Sequence, residues 1–110
     1  MSTIKVGDTK TLRWRLDRDL VGVDEARLHV ADAVGGTLAL DVAATIVEPR
    51  TEDGEVTYTL TVDDYGDEGL NAGVNGARVY QVEIQTTDGA VVLTHPDNGY
   101  ETLVVVEDLD

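Results

Sequence analysis

Residues 77–94 read ARVYQVEIQTTDGAVVLT, and the phase of this stretch decides the fold. Tyr80, Val82, Ile84 and Thr86 alternate with Gln81, Glu83 and Gln85. A period of two sends successive side chains to opposite sides of an extended strand, one side inward and one toward water. Asp88-Gly89 then offers a tight turn, because glycine accepts the positive φ that such turns demand. Residues 90–94 return as the second strand of a hairpin.

The same period runs outward along the chain in both directions. Val56, Tyr58, Leu60 and Val62 alternate with Thr57, Thr59 and Thr61; Ala26, Leu28 and Val30 alternate with Arg27 and His29; Leu12, Trp14 and Leu16 alternate with Arg13 and Arg15. Turn dipeptides separate these runs: Gly35-Gly36, Asp53-Gly54, Asn75-Gly76 and Asn98-Gly99, with His95-Pro96 ending a strand. Seven to nine strands are predicted, near 3–6, 9–16, 25–31, 37–41, 43–48, 55–62, 77–87, 90–94 and 101–107. Short strands with a turn every ~8–12 residues point to an all-β, immunoglobulin-like antiparallel β-sandwich. Residues 17–25 are too few and too charged for a packed helix, and 63–71 have room for one helical turn. The 110 residues amount to one domain, 1–110, with an acidic tail over 107–110. The inward phase predicts a core of Leu12, Trp14, Leu16, Leu28, Val30, Leu38, Leu40, Val56, Tyr58, Leu60, Tyr80, Val82, Ile84, Leu103 and Val105, with Trp14 as an anchor.

Charge is the strongest compositional signal. Twenty-two acidic residues against eight basic ones leave a net charge of −14. Such a surface repels phosphate backbones and anionic lipid, which argues against nucleic-acid and membrane partners. Only Lys5 and Lys10 are lysines, and phenylalanine is absent. Two readings stay open: an acidic protein of a mesophile that uses charge for solubility, or a protein working at molar salt, where the screening length shrinks to ~3 Å and crowded carboxylates cost little; the composition resembles that of proteins from halophilic archaea. No apolar run approaches the ~20 residues of a membrane helix, and residues 1–10 are too polar for a signal peptide, so synthesis in the cytoplasm is expected. Hydrophobic residues make up 42%, an ordinary globular share that argues against disorder.

The residues that carry chemistry are sparse. There is no cysteine, so disulfides and thiolate sites are excluded. The single serine, Ser2, sits at the terminus, without the held setting a catalytic triad needs. His29 falls on the polar phase of its strand and His95 lies before a proline. Two isolated histidines do not suggest zinc. Asp63, Asp64, Asp67 and Glu68 cluster in DDYGDEG, residues 63–69. Hard cations want several loop oxygens, but the spacing departs from an EF-hand; a calcium site and a solvated acidic turn both stay open. No catalytic residues, metal or cofactor are expected. Exposed aromatics for a carbohydrate or cell-surface adhesion module are limited to the loop residues Tyr65 and Tyr100.

The last strand differs from the others. Leu103, Val104, Val105 and Val106 are apolar on both phases, a pattern of strands buried on both sides. On a two-layer domain two readings stay open: simple local packing of this strand, or a neighbouring subunit that covers the outer face.

In order, the chain carries VGDTKTLRWRL, then DLVGVDEARLHV, then DGEVTYTLTVDDYGDEG, then RVYQVEIQTTDGAVVLTHPDNGYETLVVVEDL. This succession, over residues 5–109, resembles the small immunoglobulin-like structural domains of tailed phages, similar to the N-terminal domain of the upper baseplate protein of lactococcal phages. The resemblance rests on the Asp19-Leu20 bend leading into the strand at 26–30, the Gly54–Leu60 strand, the Thr87-Asp88-Gly89 turn and the valine-rich end. It is a pattern of strands and turns rather than an active-site signature. One departure is the longer stretch 69–79, with NAGVNG at 71–76. The resemblance implies a non-enzymatic virion component, in baseplate, neck or capsid decoration. Its partners would be other virion structural proteins in a symmetric oligomer, with no small-molecule substrate. The expected assembly contacts are Val104, Val106, Asn71, Val74 and Asn75.

Overall fold

The computed structural model describes residues 2–33, 36–96 and 99–108. Eight strands form among them: β1 (Ser2–Lys5), β2 (Thr11–Arg15), β3 (Glu25–Ala31), β4 (Leu38–Ile46), β5 (Glu55–Thr59), β6 (Ala77–Asp88), β7 (Val91–His95) and β8 (Glu101–Val106). One 3-10 turn, Val62–Asp64, falls in the acidic stretch. The expected all-β sandwich is the observed one.

The larger sheet runs β1-β8-β6-β3-β4, and the smaller runs β4-β5-β2. β4 belongs to both. Its first part pairs with β3, from Leu38 opposite Ala31 to Ala44 opposite Ala26, and its end pairs with β5 through Thr45 and Ile46. A strand that changes sheets turns the corner of a sandwich. The periodicity suggested two strands at 37–41 and 43–48; a single nine-residue strand takes their place because no turn residue interrupts Asp41-Val42. The sheet is also not antiparallel throughout. β1 runs parallel to β8, with Ser2 opposite Leu103 and Lys5 opposite Val106.

β6 is the longest strand and explains the rest of the layout. One edge pairs with β3 over residues 81–87. The other edge pairs first with β8, from Ala77 opposite Val106 to Val82 opposite Glu101, and then with β7, from Ile84 opposite His95 to Asp88 opposite Val91. β7 and β8 thus lie end to end along β6, with the break between them opposite Glu83.

Thirteen of the fifteen predicted core side chains are buried, Trp14 among them. Leu38 is the clear exception, at 41% exposed. The ladder slips between Val30 and Ala31, so Val30 faces Leu40 while Ala31 faces Leu38. That bulge places Leu38 on the outward phase. Tyr58 packs against the core while its hydroxyl reaches the surface and donates to Asp64.

Two fully buried leucines, Leu20 and Leu70, come from connections rather than strands. Each contributes about 1.5–3 kcal/mol of burial. The Leu20 loop is held by the Arg50 guanidinium, which donates to the Leu20 carbonyl at 2.5 Å and the Val23 carbonyl at 2.9 Å. Gly54 lets this loop close. Its φ is +57°, and a Cβ there would lie 2.0 Å from the Arg18 carbonyl oxygen.

Candidate assembly surface

The register of β6 against β8 builds an apolar block on the outward side of the large sheet. Tyr80 and Leu103 oppose each other and point inward, fully buried. One residue away, Val79 opposes Val104, and two residues further Ala77 opposes Val106. These four aliphatic side chains therefore share the outer face, because the pleat alternates. Val79 is 55% exposed, and Val104 and Val106 are half-buried. Thr3 and Lys5 of β1 flank the block through their pairing with Val104 and Val106.

The long loop predicted to make contacts ends at the same place. The Glu107 amide donates to the Gly76 carbonyl at 2.9 Å, which ties the end of β8 to the start of β6. Val74, at 99% exposed, is the most exposed large apolar side chain among the described residues, and Asn75 beside it is also exposed. Val104, Val106, Val74 and Asn75 thus belong to one end of the sheet.

Asn71 has a different position. Its amide nitrogen donates to the Gly66 carbonyl at 3.0 Å, and its side-chain oxygen accepts from the Gly73 amide at 3.0 Å. Its backbone N–H donates to the buried Tyr80 hydroxyl at 3.0 Å, and that hydroxyl donates back to the Asn71 carbonyl at 3.2 Å. Asn71 braces the loop that presents Val74.

The β3–β4 half of the same outer face is charged. Arg27 donates to Asp41 at 2.6 Å, and His29 Nε2 lies 3.2 Å from the same carboxylate. The Arg27 hydrogen bond is the main reason the Asp41 carboxyl is held below its usual range. His29 is less solvated than its phase suggests, with a side chain 21% exposed.

The acidic turn is organised by its own hydrogen bonds. Asp64 accepts from the Thr61 amide at 2.8 Å and from the Tyr58 hydroxyl at 2.9 Å. Tyr65 donates to the Asp8 carbonyl at 2.6 Å. Desolvation, more than the neighbouring carboxylates, pushes both tyrosines up to about 12. Asp63, Asp67 and Glu68 remain exposed. Among the described residues no three acidic or histidine side chains come together in a metal-ligating group. Asp67 and Glu68 line an open cleft of about 610 Å³ with Asp32, whose carboxylate lies 3.7 Å from Arg78. Of the two loop tyrosines suited to a sugar platform, Tyr65 is tied into the fold and Tyr100 is 40% exposed.

Ala77 and Val79 did not stand out in the sequence. Their signal is an apolar residue on the outward phase of β6, and its meaning depends on the β6–β8 register, which sequence spacing does not set. No helix among the described residues is long and apolar enough to cross a membrane. No protein-family model matches the chain, and no curated protein matches it.

Proposed function

We propose that this domain is a non-enzymatic structural component of a tailed virus infecting a salt-loving host, in its baseplate, neck or capsid decoration. It acts through contacts with other virion proteins in a symmetric oligomer. The observation that carries the assembly part is the block of Ala77, Val79, Val104 and Val106, apolar on an outer face that an antiparallel sheet ordinarily gives to polar residues. Contiguous exposed apolar surface rimmed by polar residues marks an interaction site. The viral part is supported by the strand-and-turn pattern of the chain. The salt-loving host is supported by the net charge of −14. Quantitative mass spectrometry of purified particles tests the reading. The chain is expected in fixed stoichiometry to the major capsid protein, with hundreds of copies assigning it to decoration and a dozen or fewer to neck or baseplate. Its absence from clean particles overturns the virion reading.

A further inference from the structure

Three strands pair on one side only among the described residues: β1, β2 and β7. An unpaired edge is a template for another strand, and proteins ordinarily guard it with charge. β2 is guarded. Arg13 and Arg15 are exposed along it and pair with Glu55, Asp53 and Asp17. β1 carries Lys5. β7 reads Val-Val-Leu-Thr-His, with no acidic side chain, lysine or arginine. Val91, Val92 and Leu93 are 56%, 55% and 48% exposed, so both sides of this strand meet solvent.

We propose that β7 pairs with β7 of a second copy of the chain, antiparallel about a two-fold axis at Leu93, joining the large sheets of two copies. The inference deepens the assembly reading and rests on it. The choice of a second copy follows from charge register. About this axis Leu93 faces Leu93, Val92 faces Thr94, and Val91 faces His95. No like-charged pair arises across the five residues. The same operation on β2 would set its arginines among those of the copy, which is unfavourable across a ladder. A two-fold contact is also the commonest self-complementary interface. Asp88 and Glu101 flank the strand, and each copy carries a net charge of −14. Pairing therefore strengthens as salt screens the approach.

Cysteine scanning tests this directly, because the chain has no cysteine of its own. Opposed residues of an antiparallel pair lie about 4.5–5.5 Å apart at Cα, within the range a disulfide spans. Leu93→Cys is expected to give a disulfide-linked dimer on a non-reducing gel after mild oxidation at roughly molar salt. Val79→Cys, on the apolar block, is expected to stay uncrosslinked. Sedimentation equilibrium of the unmodified chain should show a dimer that grows by an order of magnitude or more from tenth-molar to molar salt. Leu93→Lys should return it to monomer with its circular dichroism unchanged. A monomer at all salt concentrations, or a dimer that survives Leu93→Lys, overturns the pairing. Crosslinking through Val79→Cys alone moves self-association to the apolar block, which also overturns the pairing while the assembly reading stands or falls on particle composition.

Discussion

On the β3–β4 half of the large sheet the outward side chains include Arg27, His29 and Asp41, whereas on the β6–β8 half they include the contiguous aliphatic set Ala77, Val79, Val104 and Val106, bordered by Gln81 and Thr102. Both halves belong to one sheet and one solvent-facing side. The charged half pairs its charges within the chain: Arg27 and His29 converge on Asp41. The apolar half has no such internal solution. Its four side chains gain roughly 25 cal/mol for each Å² that a neighbour removes from water. Polar groups paired within the chain and apolar groups left open are what the proposed assembly reading requires of a face divided between solvent and a partner.

The largest expected effect breaks this division on its apolar side. Val104→Asp with Val106→Asp should abolish incorporation into particles, while the isolated domain keeps its circular dichroism. Each exchange costs about 1 kcal/mol in strand preference. Arg27→Ala, on the charged half, should leave incorporation intact. Normal incorporation of the double variant would show that the apolar half is not a contact.

A second effect concerns the whole surface. The ion pairs on the charged half are exposed and stabilise little, so they do not offset the repulsion among surplus carboxylates. Strand signal in circular dichroism should decline below the tenth-molar range, where the screening length grows beyond ~10 Å. Full stability in dilute buffer would argue against a salt-loving host.

Much of this was legible in the sequence, and the parts that were not have physical reasons. Period-two phasing identified the inward side of β2, β3, β5 and β6, because one residue of slip would turn a whole strand inside out. It failed at Leu38, where a bulge with no glycine or proline to announce it shifts the phase. It also missed Leu20 and Leu70, whose burial depends on how loops fold back over the sandwich. Val104 and Val106 were visible because a doubly apolar strand is conspicuous in an acidic chain. Val79 and Ala77 needed the β6–β8 register. Asn71 was read as a contact residue; its half-buried side chain hydrogen-bonds within the loop, a role that spacing alone does not show.

That brace gives a sharper, smaller test. Tyr80→Phe removes the hydroxyl that serves both the Asn71 N–H and its carbonyl, leaving the N–H without its partner. An unsatisfied donor of this kind costs about 1–3 kcal/mol. The denaturation midpoint should fall with an unchanged m-value, and amide exchange at Asn71 should quicken. Incorporation should drop less than for the double aspartate variant, because the apolar block itself is untouched. A loss as complete as that variant's would make the Val74 loop, rather than β8, the principal contact.

The smallest effect lies on the charged half and has a definite sign. The Arg27 hydrogen bond lowers the Asp41 pKa below its ordinary 3.8. A carboxylate that holds its proton less readily when folded stabilises the fold above that ordinary value, and the contribution fades as pH falls through the lowered one. Asp41→Asn should therefore be slightly less stable than the parent near neutrality, and the gap should close in acid below 3.8. Thermal melts of both proteins across that range measure it. Incorporation at neutral pH should not change, since the proposed contact lies on the other half of the face. A gap that does not vary with pH would mean that Asp41 acts through shape rather than charge, and the contrast between the two halves would then rest on the apolar side alone.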